Sequence, residues 1–421
     1  MRGSKDLPPA PPRTGVWSDW QVVRPTNTVA MPIFFSDSAT PRFTPKDRWS
    51  FQNNAICGIC LGQWVPLLLA FWRHVEWSRY WQRVVFVTLL AALNSALALV
   101  ESALHGRAIA TQTIHPRPLF VLGHPRTGTT LLHNLLALDG DFGTCSTFCA
   151  GFPSSFLWFE RFKGLLSGMI GSTRPMDNME LSFDTPQEDE LATNVLSAGT
   201  SPYMPLVFMT CEAAFRPYFS FAAASAAATA RWTAAFLLLL RKLSLRCGGR
   251  RLLLKSPVHT ARVRLLLRLF PDAQFVYIHR DPATVYGSAC HMADTTYWHM
   301  YLATPSDEQV HEFILSQFET LWADYAAARE TIPAGSLAEL SFDELTADPV
   351  EAVRRVYTTL GIEGYVERGV AAAVAAKVAG LQGYKKNAFA PLPAKVRAVL
   401  ARRWKDYTDA WGYTWEGVEQ D

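Results

Sequence analysis

The stretch PLFVLGHPRTGTTLLHNLLALDG, residues 118–140, contains the pattern that decides the fold. Its apolar run from Leu119 to Leu122 predicts a short buried strand, and a turn with Gly123 and Gly128 follows. The leucines after that turn recur at i, i+3 and i+4, which predicts a helix. Backbone N–H groups of such a turn and of a helix N-terminus bind phosphate or sulfate oxygens. The stretch therefore predicts an oxyanion cradle.

The side chains of this loop separate it from the loop of a nucleotide triphosphatase. Arg126 adds a fixed positive charge, and Thr127, Thr129 and Thr130 add hydroxyl donors. The triphosphatase pattern G-x-x-x-x-G-K-[ST] places a lysine directly after its second glycine. The two glycines keep that spacing here, but Thr129 stands in the lysine's place. A P-loop kinase or nucleotide hydrolase is thus an alternative that the loop disfavours.

Composition sets limits on the partners of the chain. The 421 residues carry a formal net charge of only +3, so overall charge indicates neither a nucleic-acid partner nor an acidic polymer. The seven cysteines are scattered and odd in number, which argues against a disulfide framework. Cys57-x-x-Cys60 has no second pair to complete a zinc site. No metal is expected.

The chain divides into three predicted regions. Residues 1–50 are rich in proline without helical or strand period, and predict an irregular tail. Residues 51–107 contain apolar helical segments that are candidates for membrane association. Residues 108–421 form the predicted α/β domain. The first thirty residues hold no apolar run, so a cleaved secretory signal is not expected.

Two apolar segments, 55–72 and 84–100, leave membrane contact open. One interpretation is one or two spans, or a re-entrant hairpin, with the arginines of the connection at a headgroup boundary. The other is a pair of buried helices, which Asn94 and Glu101 favour for the second segment. If both segments span, the positive-inside rule places the α/β domain on the far side of the membrane, as in an endomembrane protein of the Golgi. If only the first spans, the rule places that domain in the cytoplasm.

A second informative block, residues 251–292, alternates strands with helices. This alternation predicts βαβ units and a parallel sheet, and hence a three-layer P-loop-type fold with a central parallel sheet flanked by helices, plus an N-terminal helical segment. The predicted strands of the chain after the opening one are 252–254, 275–278 and 337–342, and the predicted helices include 219–243, 260–270, 308–329 and 349–360.

Three basic residues follow the ends of predicted strands. Arg126, Lys255 and Arg280 each come just past an apolar run. Ligands of open α/β sheets bind beyond the carboxyl ends of the strands. The three cations are therefore expected to converge on one crevice.

The acidic run Glu188, Asp189 and Glu190 precedes an apolar helical segment and has two interpretations. Acids in a first helical turn complement the helix dipole and need no further role. A carboxylate near a cluster of positive groups can also take a proton from a substrate hydroxyl, as a general base does. The sequence gives both interpretations comparable weight.

Two separated motifs resemble those of the PAPS-dependent sulfotransferases. GHPRTGTTLLHNLL is similar to their 5′-phosphosulfate loop, P-[KR]-[ST]-G-[ST]-[ST]. HRDPATVYGS, with Arg280 and Ser288 eight positions later, is similar to their 3′-phosphate site. LLLKSPVHT, PQEDE and SFDEL-x-x-DP further resemble the bacterial and algal sulfotransferase-like branch. The resemblance runs from about Pro118 to Gly361.

The resemblance implies a donor site for PAPS. The loop residues Arg126, Thr127, Gly128, Thr129 and Thr130 would hold the 5′-phosphate and the sulfonate. A second site would hold the 3′-phosphate, through Arg280 and Ser288 and through a late basic segment that contains Lys385, Lys386 and Asn387.

The resemblance also implies catalytic roles for five residues. Arg126 would stabilise charge on the leaving oxygen as a fixed cation, since arginine does not donate a proton at ordinary pH. Lys255 would approach the transferred sulfonate. Glu188, Glu190 and His259 are the candidate bases, with the carboxylates preferred. Sulfuryl transfer relies on positioning and electrostatics and requires no metal.

The acceptor is left open by the sequence. Residues 145–171, 175–205 and 297–305 predict a largely apolar pocket for the hydroxyl, or less readily the amine, of a small-molecule, lipid or carbohydrate acceptor. A further alternative is a membrane-associated protein that binds PAP, the product left when PAPS has lost its sulfuryl group, but catalyses no transfer. The sequence leaves the oligomeric state undetermined.

Overall fold

The structure is a computed structural model. It describes residues 40–44, 46, 49–50, 54–171, 173–174, 176–177, 179–380, 387, 389 and 391–415. Most of the predicted proline-rich tail lies outside these residues. So do Lys385 and Lys386 of the late basic segment.

The centre of the described structure is a parallel sheet. Its strand order is β2-β3-β1-β4-β5, and β1 pairs with β3 on one side and β4 on the other. The strands are β1 (Leu119–Leu122), β2 (Phe142–Thr144), β3 (Arg251–Lys255), β4 (Gln274–His279) and β5 (Leu337–Ser341). Because the chain moves from β1 outward to β2, and later crosses to the other side as β4, β1 lies at the topological switch point where such sheets bind ligands.

Helices cover both faces of this sheet, which confirms the predicted three-layer α/β fold. In chain order they are α1 (Leu61–Phe71), α2 (Trp77–Thr111), α3 (Thr129–Leu136), α4 (Thr147–Gly151), α5 (Phe156–Phe159), α6 (Asp189–Leu196), α7 (Ala226–Arg246), α8 (Val263–Leu269), α9 (Pro282–Thr296), α10 (Asp307–Arg329), α11 (Phe342–Ala347), α12 (Pro349–Leu360), α13 (Val370–Ala379), α14 (Ala394–Arg403) and α15 (Lys405–Trp411).

Alternate residues of the strands pack into two different apolar layers. Phe120 and Leu122 of β1 join a layer with α7, α8 and α10, whereas Leu119 and Val121 join a layer with α3, α12 and α13. All four residues of β1 are fully buried. A strand covered on both faces needs an apolar residue at every position, which explains the run that predicted it.

Two predicted helices begin at residues other than those that the sequence indicated. The helix expected over 219–243 begins at Ala226, where the Ser225 side chain accepts a hydrogen bond from the Ala228 N–H. Phe221 before it has a φ of 63°, which an α-helix does not tolerate. The helix expected over 260–270 starts as a 3₁₀ turn at Pro257–Arg262 and becomes α-helical at Val263.

The N-terminal apolar segments form an antiparallel pair, α1 and α2. Helix α2 is long and apolar enough to cross a membrane, with a mean hydropathy of 2.1 over an 18-residue window of which 28% is buried. Its buried polar side chains bond to the rest of the protein. Arg83 donates to the Trp298 and Tyr301 carbonyls at 2.6 and 2.9 Å, and Asn94 donates to Cys57 O at 2.6 Å.

Further along α2, Glu101 forms an ion pair with Lys242 of α7 and accepts a hydrogen bond from the Leu157 N–H at 2.8 Å. Both side chains of the pair are almost completely buried. Helix α2 is therefore attached to the α/β domain through Arg83 and Glu101, whereas Asn94 holds it to the segment before α1.

Candidate active site

The loop between β1 and α3 has the backbone of an anion cradle. Gly123 has a φ of 141° and Gly128 a φ of 99°, and a Cβ at Gly123 would lie only 2.6 Å from the Ile278 carbonyl oxygen. Glycine is required at such positions. Arg126, with a φ of 74°, is left-handed as well, which turns successive peptide groups toward one side.

Hydrogen bonds hold this loop in place. The Gly123 N–H donates to Thr260 Oγ1 at 2.8 Å, and the same hydroxyl donates to Gly123 O at 3.1 Å. Thr127 Oγ1 donates to His124 O at 2.8 Å, so this predicted ligand donor is turned into the loop itself. The N–H groups at the start of α3 have no acceptor within the helix and stay available to an anion.

The three predicted cations meet at the carboxyl ends of β1, β3 and β4. Lys255 Nζ donates to Thr130 Oγ1 at 3.4 Å, and Arg280 Nη1 donates to Arg126 O at 3.2 Å. Arg126 Nε in turn donates to Ser288 Oγ at 3.0 Å. The loop and the predicted 3′-phosphate pair are therefore direct neighbours.

Aromatic residues fix Arg280 from two sides. Its guanidinium carbon lies 4.0 Å from the centre of the Phe342 ring, and that ring also occupies the space where a Cβ of Gly128 would be. The Tyr407 hydroxyl accepts from the Arg280 N–H at 3.0 Å and donates to the Arg280 carbonyl at 2.9 Å. Phe342 and Tyr407 were not among the predicted site residues.

Two charged residues that the sequence analysis missed, an arginine and an aspartate, lie beside the positive cluster. Arg174 Nε lies 3.4 Å from Asp177 Oδ1, and Arg126 Nη1 lies 3.1 Å from Asp177 Oδ2. One carboxylate thus bridges two guanidinium groups beside the loop. Because a phosphate or sulfonate offers the same paired oxygens, Asp177 occupies the kind of contact that an oxyanion makes.

The side chain of Glu188 points away from the backbone of the helix that it precedes. Glu188 is the N-cap residue of α6, yet its side chain makes no hydrogen bond to the helix backbone. Its Oε1 instead accepts from Lys255 Nζ at 2.8 Å, and its Oε2 accepts from the Tyr203 hydroxyl. The carboxylate faces the same cavity as Arg126 and Thr130.

The pKa values of this group follow from burial and from the ion pair. Burial acts to raise the pKa of Glu188, but the charge and hydrogen bond of Lys255 outweigh it, and the pKa lies below its ordinary value of 4.5. Burial lowers the pKa of Lys255 from its ordinary value of 10.5, against the charge of Glu188. Burial and the Glu188 charge keep the pKa of Tyr203 well above 10.0, so its hydroxyl stays a donor.

The structure does not bring Glu190 and His259 to this cavity. Both oxygens of Glu190 accept from Arg262, at 2.6 and 3.0 Å, and both side chains are fully buried. His259 Nε2 lies 2.6 Å from Asp189 Oδ2, again with both side chains fully buried. Glu190 thus forms an internal ion pair and His259 an internal hydrogen bond, and both contacts join α6 to the segment after β3.

A cavity of about 310 Å³ begins at the loop and extends away from it between largely apolar walls. Polar groups line the loop end: Arg126, Thr129, Thr130, Arg174, Gln187, Glu188 and Tyr203. Apolar groups line the remainder, among them Phe86, Leu90, Phe152, Ile170, Phe183, Met292, Met300 and Phe313. The predicted pocket segments 145–171, 175–205 and 297–305 all contribute to it.

The late basic segment is described only in part. Asn387 Nδ2 donates to the Met176 carbonyl at 2.9 Å, next to Asp177. Phe389 packs near Gly287 and the His291 ring, on the helix that carries Ser288. Lys385 and Lys386 lie outside the described residues. Within the described ranges, no group of three or more His, Cys, Asp and Glu side chains is arranged to hold a metal ion.

Comparisons with known proteins agree with this architecture. Residues 118–367 match the sulfotransferase family. The chain is 30% identical over 359 residues to the omega-hydroxy-beta-dihydromenaquinone-9 sulfotransferase Stf3 of Mycobacterium bovis and of Mycobacterium tuberculosis, over 85% of this chain and 90% of each relative.

Two crystal structures share the fold. Sulfotransferase STF1 from Mycobacterium tuberculosis H37Rv has a TM-score of 0.59 and 17% identity, over 85% of this chain and 94% of that one. Sulfotransferase STF9 from Mycobacterium avium has a TM-score of 0.58 and 21% identity, over 78% of this chain and 85% of that one. At these identities the likeness concerns the fold.

Proposed function

The chain belongs to the sulfotransferase family, and on that basis we propose that it transfers a sulfuryl group from PAPS to a hydroxyl group of a largely apolar acceptor. The observation that carries the proposal is the cavity, whose walls are apolar and whose loop end is lined by Arg126 and by Glu188, the partner of the buried Lys255. An amine acceptor is the less favoured variant. The name of the Stf3 relatives describes a hydroxylated dihydromenaquinone acceptor, and an apolar molecule with a hydroxyl group suits a cavity with apolar walls.

Two groups of residues would hold PAPS. The glycine turn, the first N–H groups of α3 and the side chains of Arg126, Thr129 and Thr130 suit the 5′-phosphosulfate. Arg280 and Ser288, with Asn387 and the lysines before it, suit the 3′-phosphate. Bound there, PAPS supplies the sulfuryl group, which passes from a phosphate oxygen to the acceptor oxygen and leaves PAP.

The fit of an anion to the loop is supported by the bridge that Asp177 forms. Its carboxylate joins Arg126 to Arg174 at 3.1 and 3.4 Å, so two guanidinium groups already lie at a spacing that suits paired oxygens. A bound oxyanion offers those two arginines an equivalent partner. We infer that Arg126 exchanges Asp177 for the ligand and then stabilises charge on the leaving oxygen as a bidentate clamp.

Glu188 is the base in this proposal. Its carboxylate removes the proton of the acceptor hydroxyl, and the Tyr203 hydroxyl orients it through a hydrogen bond. Lys255 holds the pKa of Glu188 low while it bonds to that carboxylate. When Lys255 turns to the oxygens of the sulfonate, burial becomes the dominant influence on Glu188, and its pKa rises toward values at which a carboxylate accepts a proton well.

Labelled donors test the function directly. The protein is incubated with sulfur-labelled PAPS or phosphorus-labelled ATP, with and without EDTA, and with a hydroxylated menaquinone dispersed in detergent. We expect label from PAPS in the acceptor, unaffected by EDTA. Metal-dependent transfer from ATP would overturn the proposal in favour of a kinase. Tight PAP binding without transfer to any of a panel of hydroxyl and amine acceptors would favour a catalytically silent binding protein.

A further inference from the structure

Helix α2 presents an apolar stripe to solvent on the side opposite its buried polar residues. Between Trp81 and Leu104, every exposed residue except Ser102 is apolar, and the two charged residues, Arg83 and Glu101, are both buried. The stripe is about 35 Å long at 1.5 Å per residue. Its large members are Trp81, Val85, Leu89, Leu93, Leu99, Val100 and Leu104, with Leu89 67% and Leu99 73% exposed.

Neighbouring elements extend the stripe on both sides. Helix α1 lies antiparallel to α2, with Leu61 bonded to Ser95 and Trp64 to Thr88. It exposes Val65, Leu69 and Trp72, spaced to share one face. On the other flank, where Trp158 donates to the Leu97 carbonyl, Phe162 and Leu165 are exposed, the latter by 84%. We call all these exposed residues the apolar face.

An apolar face of this extent normally has a partner. The attachments of α2 show that the partner is not a bilayer crossed by this helix. Crossing would strip Arg83 from the Trp298 and Tyr301 carbonyls and Glu101 from Lys242, and would leave these groups unpaired in hydrocarbon. A bilayer that the helix lies along contacts only the exposed side and leaves those bonds intact.

The ends of the face carry the residues that favour a membrane surface. Trp49, Trp72, Trp77 and Trp81 are all exposed around the α1–α2 turn. Arg73 lies over the Trp72 ring at 5.4 Å, Arg79 follows, and Arg107 is exposed at the far end of α2. Tryptophan is enriched at headgroup level, and basic residues beside an apolar helix face attract anionic lipids.

The apolar face also adjoins the cavity. Phe86 and Leu90 line the cavity wall, and each directly follows a residue of the face, Val85 or Leu89. The width of helix α2 therefore separates the cavity from the apolar face.

We propose that α1, α2 and the segment around Phe162 seat the protein in one leaflet of an anionic bilayer, with α2 parallel to the surface, and that a lipid acceptor enters the cavity beside α2. The second half of this proposal rests on the proposed function, and the first does not. The occupant is an anionic lipid surface; a second copy of the chain is the competing occupant.

Vesicle flotation tests the docking without any catalytic readout. The full chain, including residues 1–39, is mixed with one of two kinds of vesicle. One kind contains phosphatidylglycerol and phosphatidylcholine, and the other contains phosphatidylcholine alone. The variant L89E/L93E places two charges on the apolar face. The control V366E/L238E places two charges at exposed apolar positions elsewhere. Thermal melting of all three proteins verifies folding.

We expect the wild type and the control to float with the anionic vesicles, and L89E/L93E to lose at least about tenfold in partition. Equal partition of L89E/L93E and wild type, or no flotation of the wild type, would overturn the proposal. So would a wild-type dimer that L89E/L93E converts to monomer while neither protein binds vesicles.

Transfer assays separate this proposal from the proposed function. A hydroxylated menaquinone is offered either in vesicles or in detergent micelles. We expect L89E/L93E to lose activity on the vesicle form and to keep it on the micellar form. Flotation without transfer on either form would leave the docking in place and remove the proposed function. Equal loss on both forms would overturn entry along α2.

Discussion

Replacing Glu188 by Gln removes a proton acceptor while keeping the shape of the side chain. An amide oxygen in the place of Oε1 still accepts the 2.8 Å hydrogen bond from Lys255 Nζ. The amide does not take the proton of an acceptor hydroxyl. We therefore expect kcat to fall by about 10²- to 10⁴-fold, the usual contribution of a general base. Binding of PAP is expected to stay within about twofold, since the change concerns the reacting proton.

The same substitution has a second effect, on the pKa of Lys255. The negative charge of Glu188 opposes the lowering of the Lys255 pKa by burial. Without that charge, the pKa of Lys255 falls further. Lysine is required in its protonated form, so the alkaline limb of the kcat/KM profile moves to lower pH in the variant.

Initial rates of labelled transfer from PAPS to a hydroxylated menaquinone in detergent, together with calorimetric titration of PAP, measure these effects. E180Q is the matched control, because Glu180 is exposed and does not line the cavity. Activity of E188Q within about threefold of wild type would refute the assignment. A large loss of kcat in folded E190Q or H259Q protein would move the base to that residue.

Three further results are expected. D177N removes the carboxylate that competes for the two arginines it bridges, so the Kd for PAP should fall about tenfold, or roughly 1.4 kcal/mol, by titration. E190Q leaves Arg262 buried without a counter-charge, and urea unfolding should show a loss of about 3 kcal/mol. The pKa of Glu188 lies below 4.5 and its ionised form is the base, so the acid limb of kcat/KM measured against pH should have its midpoint below pH 4.5.

Each of these results has a contradicting outcome. Weaker PAP binding by D177N would mean that Asp177 positions the arginines for the ligand; D184N, at an exposed ion pair, is its control. A loss under about 1 kcal/mol in E190Q would mean that the buried pair relaxes, and E180Q serves again for comparison. An acid limb near neutral pH would show that Lys255 has left Glu188 in the free enzyme.

Much of the fold was predictable because its sheet is buried on both faces. A parallel strand covered by helices is apolar along its buried length, and β1 and residues 275–278 of β4 carry that pattern in the sequence. Parallel strands end at one edge, so residues that follow them meet there. This rule alone predicted that Arg126, Lys255 and Arg280 converge, and the structure has all three at that edge.

The choice of base was not predictable, for a geometric reason. Glu188 and Glu190 are two positions apart at the start of α6, and a helix turns about 100° per residue. One carboxylate therefore faces the cavity and the other faces Arg262. Nothing in the sequence gives the rotation of α6, because it depends on long-range partners such as Trp232.

Arg174 and Asp177 were missed for a different reason. They lie in a segment without helical or strand period, and residues 172, 175 and 178 within it are outside the described part of the chain. A loop residue reaches a site through tertiary folding, which no periodicity encodes. The only available signal was an arginine and an aspartate in the short segment between the apolar residues 145–171 and the acidic run 188–190.

The ring of Phe342 connects two parts of the molecule that each bind charge. It packs on Gly128 of the loop and stacks on the guanidinium of Arg280. The thickness of this ring therefore sets the distance between the loop and the guanidinium of Arg280. Under the proposed function, the two phosphates of PAPS would bind on either side of this ring, so the ring thickness would contribute to selection of a donor that carries both.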